Sequence, residues 1–176
     1  ETLYAVPFIK IRAQDTRMVE RITQTVPIHQ GISIDIFPFD NAPDSKLMRM
    51  VRAFQLWYLQ RLLFARCGYV MWQPGNIGKL AAYMLFRLES YFISIQTMKK
   101  CYDRIVQAYN HKETREVVNA PGRCGYMREC QKRAWARELS TIVFEGETFP
   151  CPEDVTGYLE FKFGDYMTPP PENQRD

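Results

Sequence analysis

An α+β fold is what this chain of 176 residues predicts: a small partial sheet with a predominantly helical C-terminal part, in a single domain over 1–176. Three observations carry that expectation. Short alternating apolar runs occur near the N-terminus and again around 141–151, apolar residues recur at spacings of three and four between 45 and 109, and turn residues punctuate the intervals. A composition that is 46% hydrophobic and 14% aromatic supports a substantial core and excludes a disordered chain. The formal charge of +3 comes from cations spread along the chain, and no reader motif accompanies them, so nucleic acid is not an expected partner.

The longest uninterrupted apolar run, Leu80 to Phe86, falls far short of the ~20 residues a membrane span needs. With no basic-then-apolar leader pattern, the expectation is a cytoplasmic protein. Five cysteines, an odd number, fit reduced thiols better than a disulfide framework. A zinc site from Cys101, Cys124, Cys130, Cys151 and His111 is disfavoured, because the nearest pair, Cys124 and Cys130, lacks the close spacing of structural zinc sites.

In chain order, "LYAVPFIKIR" at 3–12 reads as a strand with Lys10 and Arg12 on one side. Asp15 or Thr16 then marks a turn. In "GISIDIFPFDNAP", 31–43, strand geometry sets Ile32, Ile34 and Ile36 on one face and Ser33, Asp35 and Phe37 on the other. Pro38 has no N–H to donate, so the strand ends near Phe37 and leaves Asp40 and Asn41 in a loop. A carboxylate in such a run needs a partner or a cation, since burying it alone costs several kcal/mol.

From Ser45 to about Arg66 the pattern is helical, with Asp44 or Ser45 as cap and Leu47, Met50, Val51, Phe54, Tyr58 and Leu62 as the apolar face. Lys46, Arg49, Arg52 and Arg61 make up its polar side, either a solvated face or a surface for phosphate or, in a peripheral membrane contact, lipid headgroups. After "QPGN" a second helix is expected from Ile77 to about Met98, with Ile77, Leu80, Met84, Leu88 and Phe92 inward, and a third to about Tyr109. The segment 115–137 is the densest in cations. "STIVFEGETFPCP" has the form of a hairpin, Thr141 to Phe144 and Thr148 to Cys151 around a turn at Glu145, Gly146 and Glu147. A helix follows, opened by Glu153 and Asp154 and stopped at Gly164.

"SIDIFPFD" at 33–40, "VFEGETFPCP" and "YLEFKFGDYMTPPPENQR" at 158–175, preceded by "KIRAQDTRMVE", together resemble the LicD family of phosphotransferases, which includes phosphocholine transferases and fukutin-related proteins. The resemblance implies a nucleotidyltransferase-like fold that transfers a phosphorylated alcohol, of phosphocholine or ribitol phosphate type, from a CDP-linked donor to a glycan hydroxyl. It implies Mg2+ or Mn2+ as cofactor, with Asp35 as the catalytic metal ligand. By the same resemblance Lys10, Asp40, Asp165, Tyr166 and Arg175 contact substrate or donor. The family's aspartate-rich D-x-D run is not among these residues, so the match is to the C-terminal portion of such an enzyme. The alternative is a catalytically inactive binding or interaction module that retains the fold.

Overall fold

The computed structural model describes residues 3–71, 75–169 and 171–174. It is a mixed α and β structure with small antiparallel sheets. Its backbone divides into two compact units, Glu1–Cys130 and Gln131–Asp176, each taken by itself below.

The first unit opens with two strands, β1 (Ile9–Arg12) and β2 (Ser33–Ile36), paired antiparallel with Ile9 opposite Ile36, Lys10 opposite Asp35 and Ile11 opposite Ile34. The chain between them turns at Ala13–Thr16, where the Thr16 hydroxyl donates to the Ala13 carbonyl and accepts from the Ile32 amide. β1 is shorter than the alternation suggested, and residues 3–8 run as irregular chain. The isoleucines of this ribbon face solvent, Ile34 being 71% exposed, and the Lys10 and Asp35 side is the more covered one. Alternation fixes which residues share a face of a two-stranded ribbon, but only packing decides which face is covered.

Asp40 and Asn41 form a two-residue strand, β3 (Asp40–Asn41), rather than a loop. It pairs with β4 (Glu116–Val118), Asp40 opposite Val118. Between these strands lie three helices. α1 (Lys46–Cys67) starts on Ser45, whose hydroxyl accepts from the Met48 amide, and stops at Gly68, held at φ 80°, where a side chain would be strained. α2 (Ile77–Ser90) is capped by Asn76. α3 (Ile95–Val106) is capped by Ser94, which accepts from the Thr97 amide at 3.1 Å. The helix expected over 77–98 is therefore broken at Tyr91–Ser94. Ser94 offers the chain a local hydroxyl bond that competes with continuing the helix, and the apolar periodicity runs through the break.

The buried side chains of this unit gather around α1. Leu62, Leu63, Phe64 and Cys67 join Ala5, Tyr69 and Met98 in one cluster; Leu56 joins Ala42, Tyr102, Val118 and Tyr126 in another. Tyr69 ties the N-terminal segment to the first, stacking on Phe64 at 4.9 Å while its hydroxyl accepts from the Ala5 amide at 3.0 Å. The faces assigned inward on α1 and α2 are only partly so. Leu47, Met50 and Phe54 of α1, and Ile77, Met84 and Leu88 of α2, lie exposed, and α2 packs through Tyr83, Phe86 and Ser90 instead.

After β4 the chain forms one helical turn, α4 (Tyr126–Glu129), then β5 (Cys130–Lys132) at the junction of the units. The second unit holds α5 (Ala134–Arg137) and the hairpin β6 (Leu139–Phe144) and β7 (Glu147–Pro152), in the expected place. Its two-residue turn has Glu145 at φ 51° and Gly146 at φ 86°, the conformation that matches strand twist. α6 (Val155–Phe163) follows, with Asp154 as cap and Gly164 as stop. Trp135 packs on Tyr158 and Phe161, and its indole N–H donates to Asp154 Oδ2 at 3.0 Å. Helix is concentrated in the middle of the chain rather than in its C-terminal part. Among the described residues no helix is long and apolar enough to cross a membrane.

Candidate functional site

The covered side of the β1–β2 ribbon borders a cavity of about 870 Å3, within the range of small-molecule sites. It is lined by the N-terminal segment from Tyr4 to Phe8, by Lys10 and Arg12 of β1, by Phe37 and Pro38 beyond β2, and by Lys99, Tyr102 and Asp103 of α3. Phe8, just before β1, and Phe37, just after β2, meet at 4.6 Å between ring centres. Lys10 and Arg12 share a face because they are two apart on a strand; Lys99, Tyr102 and Asp103 share one because they are three and four apart on a helix.

Lys10 is the charge at the centre of this side. Its side chain is only 8% exposed, and its ammonium lies 2.6 Å from Glu20 and 3.3 Å from Asp35. Two carboxylates that both reach water thus hold a nearly buried cation. The acid that the strand pattern singled out is therefore compensated by a lysine across the ladder, and the more buried partner is the lysine. Arg12 lies over the Tyr4 ring at 5.3 Å, and the Tyr4 hydroxyl donates to the Phe8 carbonyl. Burial pushes the Tyr4 hydroxyl up to about 12, against the lowering effect of Arg12, so it stays a neutral donor. Burial also pushes the Tyr102 hydroxyl up, with the nearby Asp103 and Asp40 adding to it. His29, at the cavity's rim, accepts from the Gly31 amide through Nδ1 and has Nε2 3.3 Å from the Gln14 carbonyl, the arrangement of the Nε2–H tautomer.

The other residues singled out by sequence lie elsewhere. Asp40 is 7% exposed and accepts from Asn110 Nδ2 at 2.7 Å, while Asn110 Oδ1 accepts from the Asn41 amide. Asn41 donates to the Tyr109 and Lys112 carbonyls, and Asp44 accepts from the Arg115 amide. Arg49 joins Pro43 to Glu116. "DNAPD" at 40–44 is thus a latch that holds the chain after α3 against β3. Asp165 and Tyr166 belong to the second unit; Asp165 accepts from the hydroxyl and the amide of Thr168, which holds its carboxyl below the usual range. Arg175 lies outside the described residues. The cavity brings Lys10 together with groups sequence reasoning did not select: Arg12, Phe8, Phe37, Lys99 and Tyr102. The i, i+3, i+4 spacing of Lys99, Tyr102 and Asp103 was visible, but nothing local linked it to β1.

The arrangement suits an anion that carries a flat ring. Rings from Phe8, Phe37 and Tyr102 offer stacking surface, and Lys10, Arg12 and Lys99 offer charge-assisted donors to phosphate oxygens. The metal that the family resemblance implies finds a poorer fit. Among the described residues no three His, Cys, Asp or Glu side chains converge, and Asp35, which does not line the cavity, faces an ammonium. These residues do not by themselves make a cage for Mg2+ or Mn2+. No family model, curated protein or solved structure matches the chain.

Proposed function

We propose that the first unit binds a CDP-linked phosphorylated alcohol, and that the protein works as a LicD-type phosphotransferase acting on a glycan hydroxyl. The observation that carries this reading is the cavity beside the "SIDIFPFD" strand, where aromatic rings and three cations line one space. The rings take the cytosine; Lys10, Arg12 and Lys99 take the diphosphate. To reach a phosphate, Lys10 exchanges one carboxylate contact for another anion at little electrostatic cost. In the transfer, the acceptor oxygen bonds to the phosphorus that bears the alcohol. The bond from that phosphorus to the bridging oxygen breaks, CMP leaves, and the hydroxyl proton passes to solvent. Cations fixed around the diphosphate stabilise the charge that develops on the departing CMP.

A second reading, a binding module without transfer, is favoured by the Lys10–Asp35 pair, because a carboxylate already facing a lysine needs no metal. CMP release from CDP-choline or CDP-ribitol in the presence of a hydroxyl-bearing glycan separates the two. Transfer predicts acceptor-dependent CMP release that Lys10→Ala lowers by about ten- to a hundredfold in kcat/KM, the worth of one charge-assisted contact. CDP binding without CMP release, unchanged by Asp35→Asn and by magnesium or manganese, selects the binding module. Absence of CDP binding overturns both.

A further inference from the structure

We infer that the outer edge of β6 pairs with β6 of a second copy of the chain, the two strands running antiparallel across a twofold axis beside Thr141. The geometry of the hairpin decides which backbone groups face outward. Its two-residue turn at Glu145 and Gly146 makes Phe144 and Glu147 a hydrogen-bonded pair, and alternation along an antiparallel ladder then turns the N–H and C=O groups of Ser140, Ile142 and Phe144 toward β7. The bond from the Glu153 amide to the Glu138 carbonyl, 2.8 Å, continues that alternation by one step. Leu139, Thr141 and Val143 therefore point their backbone groups away from β7, and among the described residues no third strand takes them up.

The two edges of the hairpin differ. On β7 the outward positions are Thr148, Pro150 and Pro152, opposite Val143, Thr141 and Leu139. The prolines leave only Thr148 with an outward N–H, which bars strand addition on that side. β6 has no such block. Its sequence "LSTIVF" holds no proline, glycine or charge, is rich in β-branched residues, and is exposed along its length, Val143 at 70%. α5 and α6 pack against β7, and a two-stranded hairpin gains independent stability from a further strand.

A second copy is the occupant that this edge itself specifies. A twofold axis at Thr141 sets Leu139 opposite Val143 of the second copy and Thr141 opposite its own counterpart, so every outward N–H and C=O of Leu139, Thr141 and Val143 finds a partner in both copies. Apolar residues then meet β-branched ones and threonine meets threonine, pairs that stabilise neighbouring strands. The assembly is also closed. β7 lies outermost on both sides of the resulting four-stranded sheet, where its prolines stop further growth, as a closed twofold dimer requires.

Sedimentation velocity of the full chain over a range of concentrations tests this. The parent is expected to pass from monomer to dimer. Thr141→Lys and Thr141→Glu each set like charges face to face on the axis, at an exposed position, and each is expected to raise the dimer dissociation constant at least about tenfold. An equimolar mixture of the two variants is expected to associate again, because unlike charges then meet. Thr141→Pro, which removes an outward N–H but no bond to β7, is expected to weaken the dimer by about tenfold as well. CDP binding belongs to the first unit and should be the same in every variant, so failure here and failure of the cavity reading are distinguishable. The inference is overturned by a parent that stays monomeric, or by a dimer that none of these changes weakens. A monomeric parent that takes up an alternating threonine–valine peptide, in a manner lost in Thr141→Pro, also overturns it and assigns the edge to a strand of another protein.

Discussion

Replacing Lys10 by methionine keeps most of the stem and removes the charge, which leaves Glu20 and Asp35 facing each other without their shared cation. Because both carboxylates reach water, the expected loss of stability is about 1–2 kcal/mol rather than the larger cost of breaking a fully buried pair. Asp35→Asn should cost less, about 1 kcal/mol or below, since Glu20 remains the nearer partner. Urea denaturation of the two variants checks the order; a larger loss from Asp35→Asn would return that carboxylate to the centre of the site. Sequence alternation was enough to show that Lys10 and Arg12 share a side. The pairing of Lys10 with Asp35 was not legible, because twenty residues without hairpin turn chemistry separate the strands and leave their register open. Asp154 offers a pH test in the second unit. The Trp135 indole and then the Gly157 amide hold its carboxyl below the usual value. A depressed folded value means that the stabilisation is present above the ordinary carboxylate range and is lost as pH falls through the folded value. The Trp135 indole N–H resonance should therefore shift in acid, and Asp154→Asn should abolish that transition.

Among the elements, those with their own start and stop signals were the legible ones. α1 has its cap at Ser45, the β6–β7 hairpin has its turn around Glu145, Gly146 and Glu147, and α6 has Asp154 and Gly164, and each lies close to where these residues predict. The break between α2 and α3 was expected near Met98 and lies at Tyr91–Ser94 instead, because apolar residues keep helical spacing across it and the decisive signal is a single serine. Ser94→Ala should destabilise the unit by about 1 kcal/mol, the usual worth of such a cap, measured as a lowered midpoint in denaturant. An unchanged midpoint would mean that packing of Tyr91–Ser94, not the hydroxyl, sets the break. The exposed side of α2 was misassigned for a related reason. Periodicity finds an apolar stripe without saying whether the neighbour covering it is protein, lipid or nothing in this chain.

At the scale of the whole molecule, the first unit is organised by α1, which contributes to both buried clusters, and by Met98, fully buried against the first. Met98→Ala should cost about 2–5 kcal/mol, whereas truncating exposed Met84 should cost little, a contrast that thermal unfolding would show. Overall composition and patterning foretold a mixed α and β structure. The cavity was illegible beyond Lys10, because its walls come from residues 4–12, 36–38 and 99–103, which lie far apart in the chain. The measurement that bears most directly on the account is calorimetric titration of CDP into the chain and its Lys10→Met and Phe37→Ala variants. Binding weakened about five- to a hundredfold by Phe37→Ala, as loss of one stacking ring implies, and weakened also by Lys10→Met, is the predicted result. No heat of binding in the parent, or an affinity that neither variant changes, would contradict it.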